Sequence, residues 1–274
     1  MAKVSYPHYA WAAGHGLVLL GSLHTLLGMI TFSARYKSYY LAYAGALVSW
    51  GIVVYKSLGV PQPSKAWVQR ALLDENVQYL LLALYWFLSK PIYLTLLPFA
   101  TFSLFHTLTF LRTSVLPKVP AAPAGAKKDA PAAVPQSGGA KLSKGIQVWV
   151  KAHYEQAMLF VAFVEVIVVF GRLLLGAITF QNSLLAPLFF AHFLRLRYYL
   201  SPPTRQAFGY VNAQIDARVL ANPSIPAGAK KAVKIGREMI ARYSESIISV
   251  QPAGGAGAAG AAGGRAAAEA HRAR

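Results

Sequence analysis

The chain has 274 residues, 55% of them hydrophobic and only 13% charged, about half the charged share of a soluble domain. Its 27 Lys and Arg against 9 Asp and Glu give a net charge of +18, and it has no cysteine, which excludes disulfides, thiol nucleophiles and Cys-ligated zinc. Long apolar stretches exclude a soluble domain, so the partner expected for the basic excess is a bilayer with anionic headgroups rather than nucleic acid.

The first two apolar stretches, 11–32 and 39–58, are nearly free of charge and turn at Ser33–Ser38. Each matches the roughly 20 residues that a helix needs to cross a bilayer core. Residues 59–76 follow. Pro61 and Pro63 break the chain, Ser64 is placed to cap, and Trp67, Val68, Ala71 and Leu72 share a face, which predicts a short interfacial helix near 64–75. The next pair, 77–89 and 91–111, turns at Ser89-Lys90-Pro91, where proline removes a backbone donor. Its first arm is short for a core of about 30 Å, so it must stop partway or thin the bilayer. Residues 113–147 are rich in Pro, Ala, Gly and Lys and are expected to be a disordered linker. The third pair, 157–180 and 183–200, turns at Gln181-Asn-Ser183 and completes a membrane hairpin assigned to 148–200. Gly14, Gly16, Gly21 and Gly28 would let neighbouring helices approach closely. Arg195 and Arg197 are expected to reach lipid phosphates at the end of the last segment. Residues 249–274 form a Gly/Ala/Arg tail expected to be disordered. No repeat of 20–50 residues is evident.

The expected fold is therefore all-α integral membrane: three helical hairpins over 1–112 and 148–200, some arms not fully spanning, with cytoplasmic amphipathic helices over 201–248. Lysine and arginine gather on the face that would hold both termini, and only Arg35, Lys37 and Lys90 fall on the other, which places both termini in the cytoplasm. No Asn-x-Ser/Thr acceptor occurs, and the N-terminus does not resemble a cleaved signal peptide.

Residues 229–247 carry the clearest helical periodicity outside the hairpins. Ala232, Val233, Ile235, Gly236, Met239, Ile240, Tyr243 and Ile247 fall on one arc, and Lys230, Lys231, Lys234, Arg237 and Arg242 on the other. That pattern marks a helix lying in the headgroup plane, each basic residue adding about 1 kcal/mol near an anionic surface. The weaker stretch 204–221, with Thr204, Phe208, Val211, Ile215 and Val219 in its stripe, suits packing on the protein better than membrane binding. Lys230-Lys231-x-x-Lys234 also fits a transport receptor weakly.

Glu165 and Arg172 lie seven residues apart in one apolar helix. Intramembrane charge is costly and invites a functional reading, here a solute or proton-coupled transporter. The plainer reading is a neutralising pair that also hydrogen-bonds to neighbouring helices. His15, His24, His106 and His192 match no metal-ligand spacing, so interhelical hydrogen bonding is the expected role. Neither a Ser/His/Asp grouping, nor a phosphate-binding glycine loop, nor paired carboxylates occur, so a non-enzymatic protein without cofactor or metal is expected.

Ser64-Lys-Ala-Trp67, Ala71–Leu82, Lys90-Pro91, Leu97-Pro98, Phe102–His106, Ser183–Pro187 and Phe193–Tyr198 together resemble the transmembrane protein 33 family, whose fungal members are pore-membrane and endoplasmic-reticulum nucleoporin-associated proteins. The resemblance covers roughly 11–112 and 150–245, and the Ala/Gly-rich tail looks fungal. It implies residence in the endoplasmic reticulum and nuclear envelope, reticulon-type and nucleoporin partners, and a role in nuclear pore distribution or assembly. It also implies importin binding and curved-membrane targeting for the basic C-terminal region, which 229–247 matches here. Short hairpins that wedge one leaflet, with a basic helix lying on it, would be the mechanism.

Overall fold

The computed structural model describes residues 6–116 and 138–245, with the side chains of 239–241 and 243–245 left out. Ten α-helices are named here: α1 (Tyr6–Ile30), α2 (Tyr36–Leu58), α3 (Lys65–Leu73), α4 (Glu75–Leu88), α5 (Leu96–Phe110), α6 (Gly138–Phe163), α7 (Phe170–Ile178), α8 (Leu185–Leu200), α9 (Pro202–Ile215) and α10 (Ala227–Glu245). No strand occurs among the described residues. Four runs are long and apolar enough to cross a membrane: Tyr6–Ile30, Tyr36–Leu58, Tyr93–Val115 and Gly138–Ile178. The chain divides into two units, Met1–Glu165 and Val166–Arg274.

In the first unit, α1 and α2 form a closely packed hairpin. A Cβ on Gly45 would lie 2.6 Å from the Gly14 carbonyl oxygen and 2.8 Å from Leu17 Cβ, so two glycines bring the backbones together. Gly16, by contrast, faces open space. Ser49 Oγ fastens the seam by donating to the Trp11 carbonyl at 2.9 Å. The next two helices bracket this hairpin, α4 against α2 and α5 against α1. They meet through long aromatic side chains: Tyr79 lies edge-on to Phe102 at 4.9 Å, and Trp50 and Tyr43 each lie 5.3 Å from Phe99. Below these rings, Tyr43 Oη and Thr95 Oγ1 hydrogen-bond at 2.7 Å, and Thr95 Oγ1 donates to the Ile92 carbonyl at 2.6 Å.

Local chemistry sets the short helices. Ser64 caps α3 by accepting from the Trp67 N–H, and the Trp67 indole donates to the Leu58 carbonyl at 3.3 Å, tying α3 to the end of α2. Asp74 caps α4, accepting from the N–H groups of Asn76 and Val77 at 2.8 and 3.1 Å. At 14 residues, α4 extends only about 21 Å.

Helix α6 starts at Gly138, inside the stretch whose composition predicts a disordered linker, while 117–137 lie outside the described residues. Proline is the reason for the difference: the last one before this helix is Pro135, and beyond it the sequence can support a helix that packs on α5 and on the Leu111–Val115 turn. Trp149 stacks on Phe105 at 5.8 Å. The helical run loosens to π-type bonding over Val164–Val169 before α7 begins.

In the second unit, α7 and α8 form a hairpin, and the first turns of α9 contact the end of α8, where Arg205 donates to the Tyr198 and Tyr199 carbonyls. Ser201 caps α9, and Pro202 and Pro203 occupy its first turn, where a missing N–H costs nothing. The stripe of α9 turns inward, with Thr204 and Ala207 buried and Phe208 5.6 Å from Tyr198. Arg195 and Arg197, expected at lipid phosphates, are instead buried, 9% and 5% exposed, and Arg197 donates to Ser201 Oγ at 3.5 Å. The burial of these two side chains could not be read from the apolar run that ends at Leu200. The tail 249–274 lies outside the described residues.

Candidate functional site

The basic helix α10 presents Lys231, Lys234 and Arg242 to the outside, with Lys230 half-buried. On its apolar arc Val233 and Gly236 are half-buried, and Ile235 is 47% exposed. The side chains of Met239, Ile240 and Tyr243, and the whole of Ile247, lie outside the described residues. Arg237 behaves differently from its neighbours. Its guanidinium donates to Asp216 Oδ1 at 2.6 Å and to the Asn212 carbonyl at 2.9 Å, fastening α10 to the end of α9. The helical periodicity of 229–247 puts Arg237 among the membrane-facing cations, whereas its carboxylate partner stands 21 residues away in sequence. The remaining exposed lysines leave a positive surface with an uncovered isoleucine beside it, a combination suited to anionic lipid.

The intramembrane polar residues separate into three places. Glu165 is fully buried and accepts the Tyr79 phenol proton at 2.6 Å. Its carboxylate therefore meets α4 through a tyrosine, a partner that the expected pairing with Arg172 and the histidines did not include. Arg172 donates to Gln181 Oε1 at 2.8 Å, a bond that ties α7 to the turn before α8. Asn182 Nδ2 reinforces that turn by donating to the Leu173 carbonyl at 3.3 Å. In the first unit His15 and His106 stack at 4.5 Å, Trp11 sits edge-on to each, and His15 Nδ1 hydrogen-bonds to Ser103 Oγ at 2.9 Å. His24 bonds Ser38 across the first hairpin. His192 stands on the exposed side of α8. No group of three or more potential metal ligands converges among the described residues.

Tyr79 is a residue that the sequence reading missed. A tyrosine within an apolar helix gives no sign of its partner, and only the packing of α4 supplies one. A second omission was legible: the ends of α1 and α7 carry nearly the same seven residues, Leu26–Phe32 and Leu174–Phe180. A search for repeats of 20–50 residues passes over so short a match.

Membrane-length helices around a buried aromatic and polar core define an all-α integral membrane protein. The chain belongs to the transmembrane protein 33/nucleoporin POM33 family, whose model matches residues 1–246. That confirms the resemblance carried by the segments around 64–106 and 183–198. The chain is 36% identical over 232 residues to "Nucleoporin POM33" of Chaetomium thermophilum, covering 80% of this chain and 79% of that one. It is 30% identical over 249 residues to "Tetra-spanning protein 1" of Schizosaccharomyces pombe, covering 89% and 86%. It is 28% identical over 265 residues to "Pore membrane protein of 33 kDa" of Saccharomyces cerevisiae, covering 92% and 88%. No solved structure matches the chain.

Proposed function

We propose that this protein is a non-enzymatic, nuclear-pore-associated membrane protein of the endoplasmic reticulum and nuclear envelope that shapes or senses curved membrane. The relatives named as nucleoporin and pore membrane protein support the location. The curvature reading is carried by one observation, the unequal helix lengths. Helices α1 and α2, of 25 and 23 residues, are long enough to cross, whereas α4 and α8 have only 14 and 16. At about 1.5 Å per residue the short pair reaches about 21–24 Å, less than a core of about 30 Å. Elements that fill one leaflet more than the other act as wedges.

In this reading both termini face the cytoplasm, and α10 adds reversible, charge-assisted contact with the cytoplasmic leaflet. Reticulon-type proteins and nucleoporins are the partners that the family resemblance implies, and an importin would cover the basic face of 229–247 before the helix reaches a membrane. The bonds of Glu165 to Tyr79 and of Arg172 to Gln181 favour a structural role for both residues over a transport relay.

Reconstitution tests the proposal directly. Purified full-length protein added at rising density to vesicles containing phosphatidylserine should give smaller or tubulated membranes in electron micrographs. Vesicles of unchanged diameter at every density would remove the wedge. Topology is open to single-cysteine labelling at Ser38, Lys90, Ser137 and Ser183, because the chain has no native thiol. Labelling of Ser137 from the cytoplasmic side, and of the other three from the lumenal side, is the expected pattern.

A further inference from the structure

Two helix ends in this chain stop in the same way. Leu26-Leu-Gly-Met-Ile-Thr-Phe32 closes α1 and Leu174-Leu-Gly-Ala-Ile-Thr-Phe180 closes α7, differing only at Met29 and Ala177. The Thr31 and Thr179 hydroxyls donate to the carbonyls of Leu27 and Leu175, at 3.0 and 2.8 Å. The N–H groups of Ser33 and Gln181 donate to the carbonyls of Gly28 and Gly176, at 2.8 and 2.7 Å, and those of Phe32 and Phe180 to Met29 and Ala177, at 3.4 and 3.2 Å. This is the Schellman closure of a helix, whose left-handed position usually holds glycine.

Here that position holds phenylalanine both times. Phe32 has φ 52° and Phe180 φ 56°, and they are the non-glycine residues with positive φ among those described. A bulky side chain in this region is strained. Neither ring recovers the strain by packing, since Phe32 is 99% exposed and Phe180 87% exposed. Ile30 and Ile178, beside them, are exposed as well.

We propose that Phe32 and Phe180 are lipid anchors, each seating the turn beyond its helix in the interfacial layer of the bilayer. Three observations choose lipid as the occupant. The first is depth. The 25 residues of α1 extend about 37 Å, more than the hydrocarbon core of about 30 Å and less than the full thickness of about 40–45 Å. A helix of that length ends at the boundary of headgroups and acyl chains, where exposed Phe, Trp and Leu side chains bury their apolar surface. Helix α7 likewise closes a run that is long and apolar enough to cross. The second is hydrogen bonding. The closing bonds satisfy the Gly28 and Met29 carbonyls, and those of Gly176 and Ala177, within the chain, which lowers the cost of placing a helix end where water is scarce. The third is charge. No Asp or Glu occurs before Asp74, nor between Glu165 and Asp216, so neither turn carries a carboxylate that phosphate would repel. The inference needs the helices to cross the membrane and is independent of any association with the nuclear pore.

The cysteine-free chain makes the test clean. Full-length Phe32→Cys and Phe180→Cys variants, labelled with an environment-sensitive fluorophore and reconstituted in phosphatidylcholine vesicles, are compared with labelled Lys37→Cys, an exposed position. The anchors should be quenched by lipids spin-labelled near the headgroup and be about threefold less accessible to aqueous iodide than the reference. Iodide quenching equal to that of Lys37→Cys, with no effect of the lipid label, would overturn the proposal. Phe32→Gly and Phe180→Gly install the residue that this backbone prefers, so the cap should persist and thermal stability in detergent should hold or rise. Under those substitutions a label at Ser33 or Ser183 should become about twofold more accessible to iodide. Unchanged accessibility, or a fall in detergent stability showing that the rings pack on protein, would overturn it too.

Discussion

Tyr79 on α4 gives its phenol proton to Glu165 at 2.6 Å, and both side chains are all but completely buried, 2% and 0% exposed. The residues stand 86 positions apart, so this bond joins α4 to the π-type segment that follows α6. It lies among the rings of Trp50, Phe99 and Phe102, where a lost partner cannot be replaced by bulk water.

Tyr79→Phe removes the donor while keeping the ring. It should lower stability by about 1–3 kcal/mol, read as a fall in thermal midpoint in detergent. Glu165→Gln keeps an acceptor and should cost less. Solute flux in liposomes that depends on Glu165 would instead revive the transporter reading.

Glycine at the α1–α2 seam gives a paired prediction. Gly45→Ala sets a methyl group 2.6 Å from the Gly14 carbonyl oxygen, so the helices must part, at a cost of about 1–3 kcal/mol. Gly16→Ala meets nothing within 4 Å and should stabilise α1 by roughly 0.5–1 kcal/mol through its better helix propensity. Parallel thermal melts of the two variants check both signs.

Lys and Arg on α10 should not be equivalent. Lys231→Glu and Lys234→Glu should weaken co-sedimentation with phosphatidylserine vesicles by about fivefold each at low salt, and less at high salt, as expected for exposed charges. Arg237→Ala removes a pair whose side chains are 31% and 56% exposed, so solvent screening limits the stability loss to about 1 kcal/mol or less. Its effect on vesicle binding should be much smaller than that of either lysine, because Arg237 is already held by Asp216 and Asn212.

Arg172→Gln removes an exposed bond to Gln181 and should cost less than about 1 kcal/mol. The informative reading is local. Amide exchange over the α7–α8 turn should quicken, while exchange in α1 and α2 stays unchanged.

Much of this architecture was open to a linear reading. Runs near 20 residues without charge fix membrane helices, prolines fix breaks, and Ser64 and Asp74 stand where caps are needed. The arc of α10 is equally local, since a helix wheel needs only the order of residues. The limits show at particular side chains. Arg237 reads as one more membrane-facing cation until Asp216 is brought beside it, and Arg195 and Arg197 read as phosphate contacts although the fold buries both. Composition also misleads over 138–147, where residues next to a Pro-rich stretch join α6 because α5 and the Leu111–Val115 turn offer them a surface.

Residue order alone is enough to identify a helical membrane protein of a recognisable family, with a basic segment near its C-terminal end. Hydropathy, charge and capping act over one turn or one span, and so are written in residue order. That Glu165 accepts from Tyr79, that Arg172 reaches into the α7–α8 turn, and that α4 and α5 bracket the first hairpin emerge from helix packing. Those relations depend on which helix faces meet, and a run that is apolar all round does not encode its own neighbour.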